Sequence, residues 1–184
     1  MGAAYDAGAD YGVVLGSDDV MTDALGREYL QVMERGALYS GIASCVMVEP
    51  LSRRALRLTG HANPIRWGET IGAGRLLSRR LLDLVGGRPW PDKATRGLDW
   101  RMTLKLQKLG VTGTDVRMLG TGDAMLVDVK GAGMWSFDRV AKHTHVAQPA
   151  EYESIVALLV EPEQRILRTL EMARCPTCGT PSRM

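Results

Sequence analysis

The sequence predicts an α/β fold, a mixed β-sheet flanked by helices, and three observations carry that reading. Short apolar runs such as Val13-Val14-Leu15 and "LYSGIASCVMVEP" are bounded by Gly, Asp and Pro, as buried strands are. Stretches with apolar residues at helical spacing lie between them. The two kinds of segment intermix along the chain and do not segregate. With 184 residues, 45% hydrophobic and 24% charged, the chain is one domain able to bury a real core. Its net charge of +2 is too near neutral to argue for a nucleic-acid groove. No run approaches the ~18 apolar residues that span a bilayer. No charged-apolar-small leader opens the chain, so the expectation is a cytoplasmic protein.

In chain order, Tyr11 to Leu15 reads as a short, fully buried strand, because Val13, Val14 and Leu15 follow one another without alternation. Thr22-Asp23 reads as the N-cap of a helix near residues 24–35, with Leu25, Tyr29, Val32 and Met33 on one face and Gly36 as its stop. "LYSGIASCVMVEP" is the next strand, closed by Pro50, with "RALRLTG" as its antiparallel partner. "NPIRWGETIGAG" holds four structure breakers and reads as a long surface loop.

"GRLLSRRLLDLVGG" has apolar residues at 76, 77, 81, 82, 84 and 85 and reads as a helix ended by Gly86-Gly87. "RPWPDKATRG" is loop again. "LDWRMTLKLQKLG" is a helix with Asp99 in its first turn and Gly110 after its last. Two short strands follow near "TDVRML" and "AMLVDV", and "EYESIVALLVEPEQRILRTLEMA" is helical with an interruption or kink at Pro162.

The chemistry-bearing feature is "DYGVVLGSDDVM", a strand that delivers Asp18 and Asp19 to its carboxyl end. In open α/β sheets that end is where ligands bind. Carboxylates on a rigid tip suit Mg²⁺ or Mn²⁺, which take one or two of them together with phosphate oxygens. An Asx-turn or helix cap accounts for the same pair equally well.

Taken in order, "GADYGVVLGSDDVM", "GETIGAGRLLSRRLLDLVGG" and "GLDWRMTLKLQKLG" resemble the second half of a family 2-type glycosyltransferase of the GT-A fold. The resemblance covers roughly residues 1–145. It implies that Ser17-Asp18-Asp19 is the Asp-x-Asp-like motif, with Gly16 where the family often has an Asp. Asp18 and Asp19 would then hold Mn²⁺ or Mg²⁺ against a nucleotide-sugar diphosphate. It implies that Asp99 is the catalytic base, giving inversion at the sugar, and that Gly72, Gly74, Trp100 and Arg101 line donor and acceptor. It also implies a domain over residues 1–172, followed by a tail over 173–184.

Family members carry a longer segment ahead of the motif, which binds the nucleotide base, whereas only Met1 to Asp10 precede the strand here. A shortened copy, or a partner chain supplying the missing half, is therefore expected. A sheet edge exposed in this way favours a homo-oligomer.

Competing roles stand beside these. Asp99 is also a plain helix-N-terminal acid. Trp100 and Trp67 read first as core aromatics and only second as a sugar platform. Arg101 and Arg75 read first as solvated surface charges and second as diphosphate contacts. Gly72-Ala73-Gly74 suits close approach of a substrate, and suits a turn as well.

His143 and His145 are spaced to put both rings on one strand face, and some GT-A enzymes return a His to the metal. His61, alone in a loop, has no assigned role. "CPTCG" places Cys175 and Cys178 as half of a structural Zn²⁺ site, to be completed by Cys45, the two His or a second chain. Besides the transferase reading, two others follow: a non-catalytic binding or assembly protein, and a zinc-stabilised interaction domain.

Overall fold

The computed structural model describes residues 5–60, 66, 69–90, 97–111, 116–120, 122–130, 137–142 and 147–172. Within them two mixed sheets are flanked by helices. The first has strands in the order β1 (Tyr11–Val14), β6 (Arg75–Ser78), β3 (Tyr39–Ile42), β7 (Val116–Leu119). The second runs β2 (Asp19–Met21), β8 (Leu126–Val129), β4 (Ser44–Glu49), β5 (Arg54–Thr59), β9 (Ala147–Ala150). The β3–β7 and β4–β8 pairs are parallel and the others antiparallel.

Three segments pass from the first sheet to the second: β1 to β2 through residues 15–18, β3 to β4 through Ala43, and β7 to β8 through residues 120–125. The carboxylate pair lies at the first of these crossings.

Helix α1 (Asp23–Glu34) forms where its cap predicts, with Thr22 Oγ1 accepting from the Leu25 N–H. Its apolar stripe, Leu25, Tyr29 and Val32, packs with Ile42, Cys45, Leu76 and Leu126. Gly36 ends the turn at φ 68°. On the other face of the first sheet, Tyr39 and Leu77 pack against α2 (Arg79–Leu84) and α3 (Leu98–Lys108) through Leu81, Leu82, Met102 and Leu106. A third core lies under the second sheet, where Val46, Val48 and Val127 meet α5 (Tyr152–Ala157) and α6 (Glu161–Met172) through Tyr152, Ile155, Val156 and Leu167. A short helix α4 (Phe137–Ala141) sets Val140 against Met47 and Ala147.

Several expectations change. The first strand ends at Val14 and is half-buried, not fully buried, because it is the edge of its sheet; Leu15 is 42% exposed. "LYSGIASCVMVEP" is two strands, since the chain changes sheet at Ala43.

"GRLLSRRLLDLVGG" is not one helix. Residues 75–78 form β6, and only Arg79–Leu84 are helical, capped by Ser78 Oγ accepting from the Leu81 N–H. Leu76 and Leu77 point to opposite faces of a doubly covered strand. Two adjacent buried leucines followed by Leu81-Leu82 mimic helical spacing.

The described part of "NPIRWGETIGAG" is not wholly a surface loop: Thr70 is buried, and its hydroxyl lies 2.8 Å from the Tyr39 hydroxyl. The C-terminal stretch is two helices separated at residues 158–160, and Pro162 sits in the first turn of α6, where a missing N–H costs nothing. Neither α4 nor β9 was expected. No helix among the described residues is long and apolar enough to cross a membrane.

Candidate functional site

The turn after β1 brings Asp18 and Asp19 together, but not at a free strand tip. Asp19 is the first residue of β2, and its Cα partner across the sheet is Asp128 of β8. Like charges directly opposite on paired strands repel, so this register needs an offset. Lys130, two residues beyond Asp128 on the same side of its strand, supplies one. Its Nζ lies 2.5 Å from Asp128 Oδ1 and 3.5 Å from Asp18 Oδ2. The backbone closes the turn: the Val129 N–H donates to the Asp18 carbonyl at 2.8 Å, and the Gly16 N–H donates to Asp19 Oδ2. A Cβ at Gly16 would stand 2.8 Å from Asp18 Oδ1 and 2.9 Å from Asp19 Oδ2, so glycine here makes room for the carboxylates.

Asp18, Asp19 and Asp128 each offer an oxygen, all within 4.8 Å of one another. Burial pushes the Asp128 carboxyl up to about 6, Lys130 opposing it and the charges of Asp19 and Asp18 adding to it. Asp19 is also raised, by burial and then by Asp18, against the Gly16 N–H and Lys130. Lys130 is itself half-buried, which lowers it, but Asp128 and Asp18 outweigh that and hold it charged. Asp128 was not anticipated from sequence. The signal available was an acid inside the apolar run "MLVDV".

The donor set fits a hard divalent cation: carboxylate oxygens only, with one member, Asp18, exposed. His143 and His145, expected to join this site, lie outside the described residues, as do Cys175, Cys178, Trp67, His61 and the tail over 173–184. Cys45, considered as a zinc ligand, is buried beside Leu25 and Tyr29. Burial, then the charges of Asp128 and Asp19, pushes its thiol up to about 12, which disfavours the thiolate a metal needs.

A second constellation surrounds Asp99 in the first turn of α3. Its Oδ2 is 2.6 Å from Arg66 Nη1. Arg66 Nε in turn pairs with Glu69 at 3.1 Å, and the guanidinium lies 5.5 Å from the Trp100 ring centre. Burial pushes the Asp99 carboxyl up, but Arg66, the backbone N–H of Trp100 and Arg75 together hold it below the usual carboxylate range.

Arg75 overturns the surface-charge expectation, being 1% exposed. It donates to the carbonyls of Ile71 (3.1 Å), Asp99 (2.8 Å) and Thr70 (3.0 Å) and to Thr103 Oγ1 (3.2 Å). Its charge is spent on clamping the loop and the start of α3, and none of these contacts is free for a diphosphate. Burial lowers its basicity from the usual guanidinium value.

The glycines of the loop have steric explanations. A Cβ at Gly72 would stand 2.9 Å from Asp99 Cβ. Gly74 has φ 73°, and a Cβ there would meet the Tyr29 hydroxyl at 2.9 Å. Trp100 is half-buried and Arg101 is exposed.

The two constellations are linked by short connections. The Gly74 N–H donates to the Val14 carbonyl at 2.7 Å, Val14 pairs with Arg75, and Arg75 holds the Asp99 carbonyl. Val14 is four residues from Asp18. The fold thus ties the carboxylate turn and the Asp99 helix to one strand pair. No protein-family model, no curated protein and no solved structure matches the chain.

Proposed function

We propose that this chain is a metal-dependent glycosyltransferase-like protein of GT-A type, moving a sugar from a nucleotide-diphospho-sugar to an acceptor hydroxyl with inversion. The observation that carries the reading is the convergence of Asp18, Asp19 and Asp128 within 4.8 Å at the crossing between two sheets. The order of motifs along the sequence and the ionised Asp99 at a helix start support it. Asp18, Asp19 and Asp128 would hold Mn²⁺ or Mg²⁺, which when bound supplies charge neutralisation to a leaving diphosphate.

The residues of the chain then have distinct tasks. Asp99 accepts the proton of the acceptor hydroxyl as that oxygen bonds to the anomeric carbon. The bond from that carbon to the phosphate oxygen breaks, and the nucleoside diphosphate leaves with the electron pair. Arg66 grips Oδ2 of Asp99, and in this reading Oδ1 takes the proton.

A second reading, a binding or assembly protein without turnover, is favoured by Lys130, whose ammonium already offsets the carboxylates without a metal. A homo-oligomer or a partner chain belongs to the same proposal.

The test is a thermal-shift titration with Mn²⁺ and uridine or guanosine diphosphate. At 100 times Kd, binding adds about 2.7 kcal/mol, which is a shift of roughly 5–10 °C for a domain of this size. Asp18→Ala should abolish it. A protein that shows no shift, or one unchanged in Asp18→Ala, does not use this metal site. Release of nucleoside diphosphate from a panel of nucleotide-sugars separates the transferase from the binding protein.

A further inference from the structure

We propose that Arg66 is the positioning residue of Asp99, fixing one carboxylate oxygen so that the other is presented to the acceptor. The inference rests on the transferase reading and deepens it at the base.

A capping acid needs no such arrangement, since the helix dipole stabilises it unaided. Asp99 is instead held by three pieces of chain. Arg66 grips its Oδ2 at 2.6 Å, and the loop backbone at Gly72 closes against its Cβ. Arg75 holds its main-chain carbonyl at 2.8 Å, where the Thr103 hydroxyl also donates at 3.1 Å.

The Arg66–Asp99 pair differs from an exposed ion pair, in which two long side chains lose entropy for little gain. The side chains are 15% and 30% exposed. Glu69 and the Trp100 ring already restrict the Arg66 guanidinium independently of Asp99. The fork therefore meets Asp99 pre-oriented. Arg66 Nη2 is buried with no hydrogen-bond partner among the described residues, so a donor remains unused beside the base.

Among the described residues, the charges facing Asp99 are Arg66 and Arg75, with Glu69 behind Arg66.

The experiment compares the full chain with Arg66→Met and Arg66→Lys. Carbon-detected NMR follows the Asp99 carboxyl through its titration, and nucleoside diphosphate release from a donor panel with Mn²⁺ gives kcat and KM against pH. In Arg66→Met the Asp99 midpoint should rise by about one pH unit. The acid limb of kcat should move with it, and kcat should fall about tenfold or more, with donor KM within twofold. Arg66→Lys should recover part of each.

An Asp99 titration identical in all three proteins overturns the proposal. So does a loss in Arg66→Met that appears only in KM or in melting temperature. If the unaltered chain binds Mn²⁺ and nucleoside diphosphate but releases none from any donor, the transferase reading fails and the catalytic role of Arg66 fails with it. The NMR titration then shows separately whether the Arg66–Asp99 link exists.

Discussion

Replacing Arg75 by Met should be among the most destabilising single changes in this chain. Methionine matches much of the arginine stem in length and fills the site without a large void, so the loss isolates the guanidinium. Four hydrogen bonds vanish, to Ile71, Asp99, Thr70 and Thr103, three of them to main-chain carbonyls. Each bond from a charged donor contributes about 1.5–3 kcal/mol net, and such terms do not add fully. Against this stands the cost of keeping a desolvated guanidinium at 1% exposure, which the substitution relieves. The balance is a loss of about 3–5 kcal/mol, or roughly 6–20 °C in melting temperature for a domain of this size.

Urea denaturation followed by circular dichroism measures the loss directly, with an unchanged slope showing that the unfolded reference is the same. Arg165→Met is the control. Its side chain is 68% exposed and, among the described residues, paired only with Glu161 one turn away, so it should stay within about 0.5 kcal/mol of the parent. An Arg75→Met protein within about 1 kcal/mol of the parent would refute the clamp, because the carbonyls would then have other partners.

Three further outcomes follow from the site. Asp18→Asn should weaken Mn²⁺ binding at least about tenfold, equal to about 1.4 kcal/mol. It should leave the melting temperature of the metal-free protein nearly unchanged, because the side chain is 52% exposed. In metal-free buffer the folded Asp128 keeps its proton to about pH 6, whereas an unfolded Asp loses it near pH 4. The folded state therefore binds more protons in that window, and stability falls as pH rises through it, by at most about 3 kcal/mol. Asp128→Asn should flatten that fall, and a parallel profile in both proteins would contradict the assignment. Gly74→Ala should cost about 1–3 kcal/mol in chemical denaturation, since it combines a left-handed φ of 73° with a Cβ placed 2.9 Å from the Tyr29 hydroxyl.

Local signals made much of this protein legible. Thr22 and Gly36 bracket α1, Asp99 and Gly110 bracket α3, and the Pro50 turn separates β4 from its antiparallel neighbour β5. Each is written within a few residues, because caps, breakers and periodicity act over one turn or one strand. Asp18 and Asp19 were visible for the same reason: two acids after an apolar run need no partner to be noticed.

What the sequence did not disclose depends on pairings between distant segments. Leu76 and Leu77 belong to a strand only because α1 covers one face and α2 with α3 the other; alone, their spacing is that of a helix. Arg75 is buried because the loop carbonyls and Asp99 close around it. Asp128 faces Asp19 through a register set 109 positions apart in the chain. The sequence alone determined which residues carry charge and where α1 and α3 begin. Tertiary structure decided which charges meet, because strand register and sheet crossing are fixed by packing across the whole domain, not by neighbours along the chain.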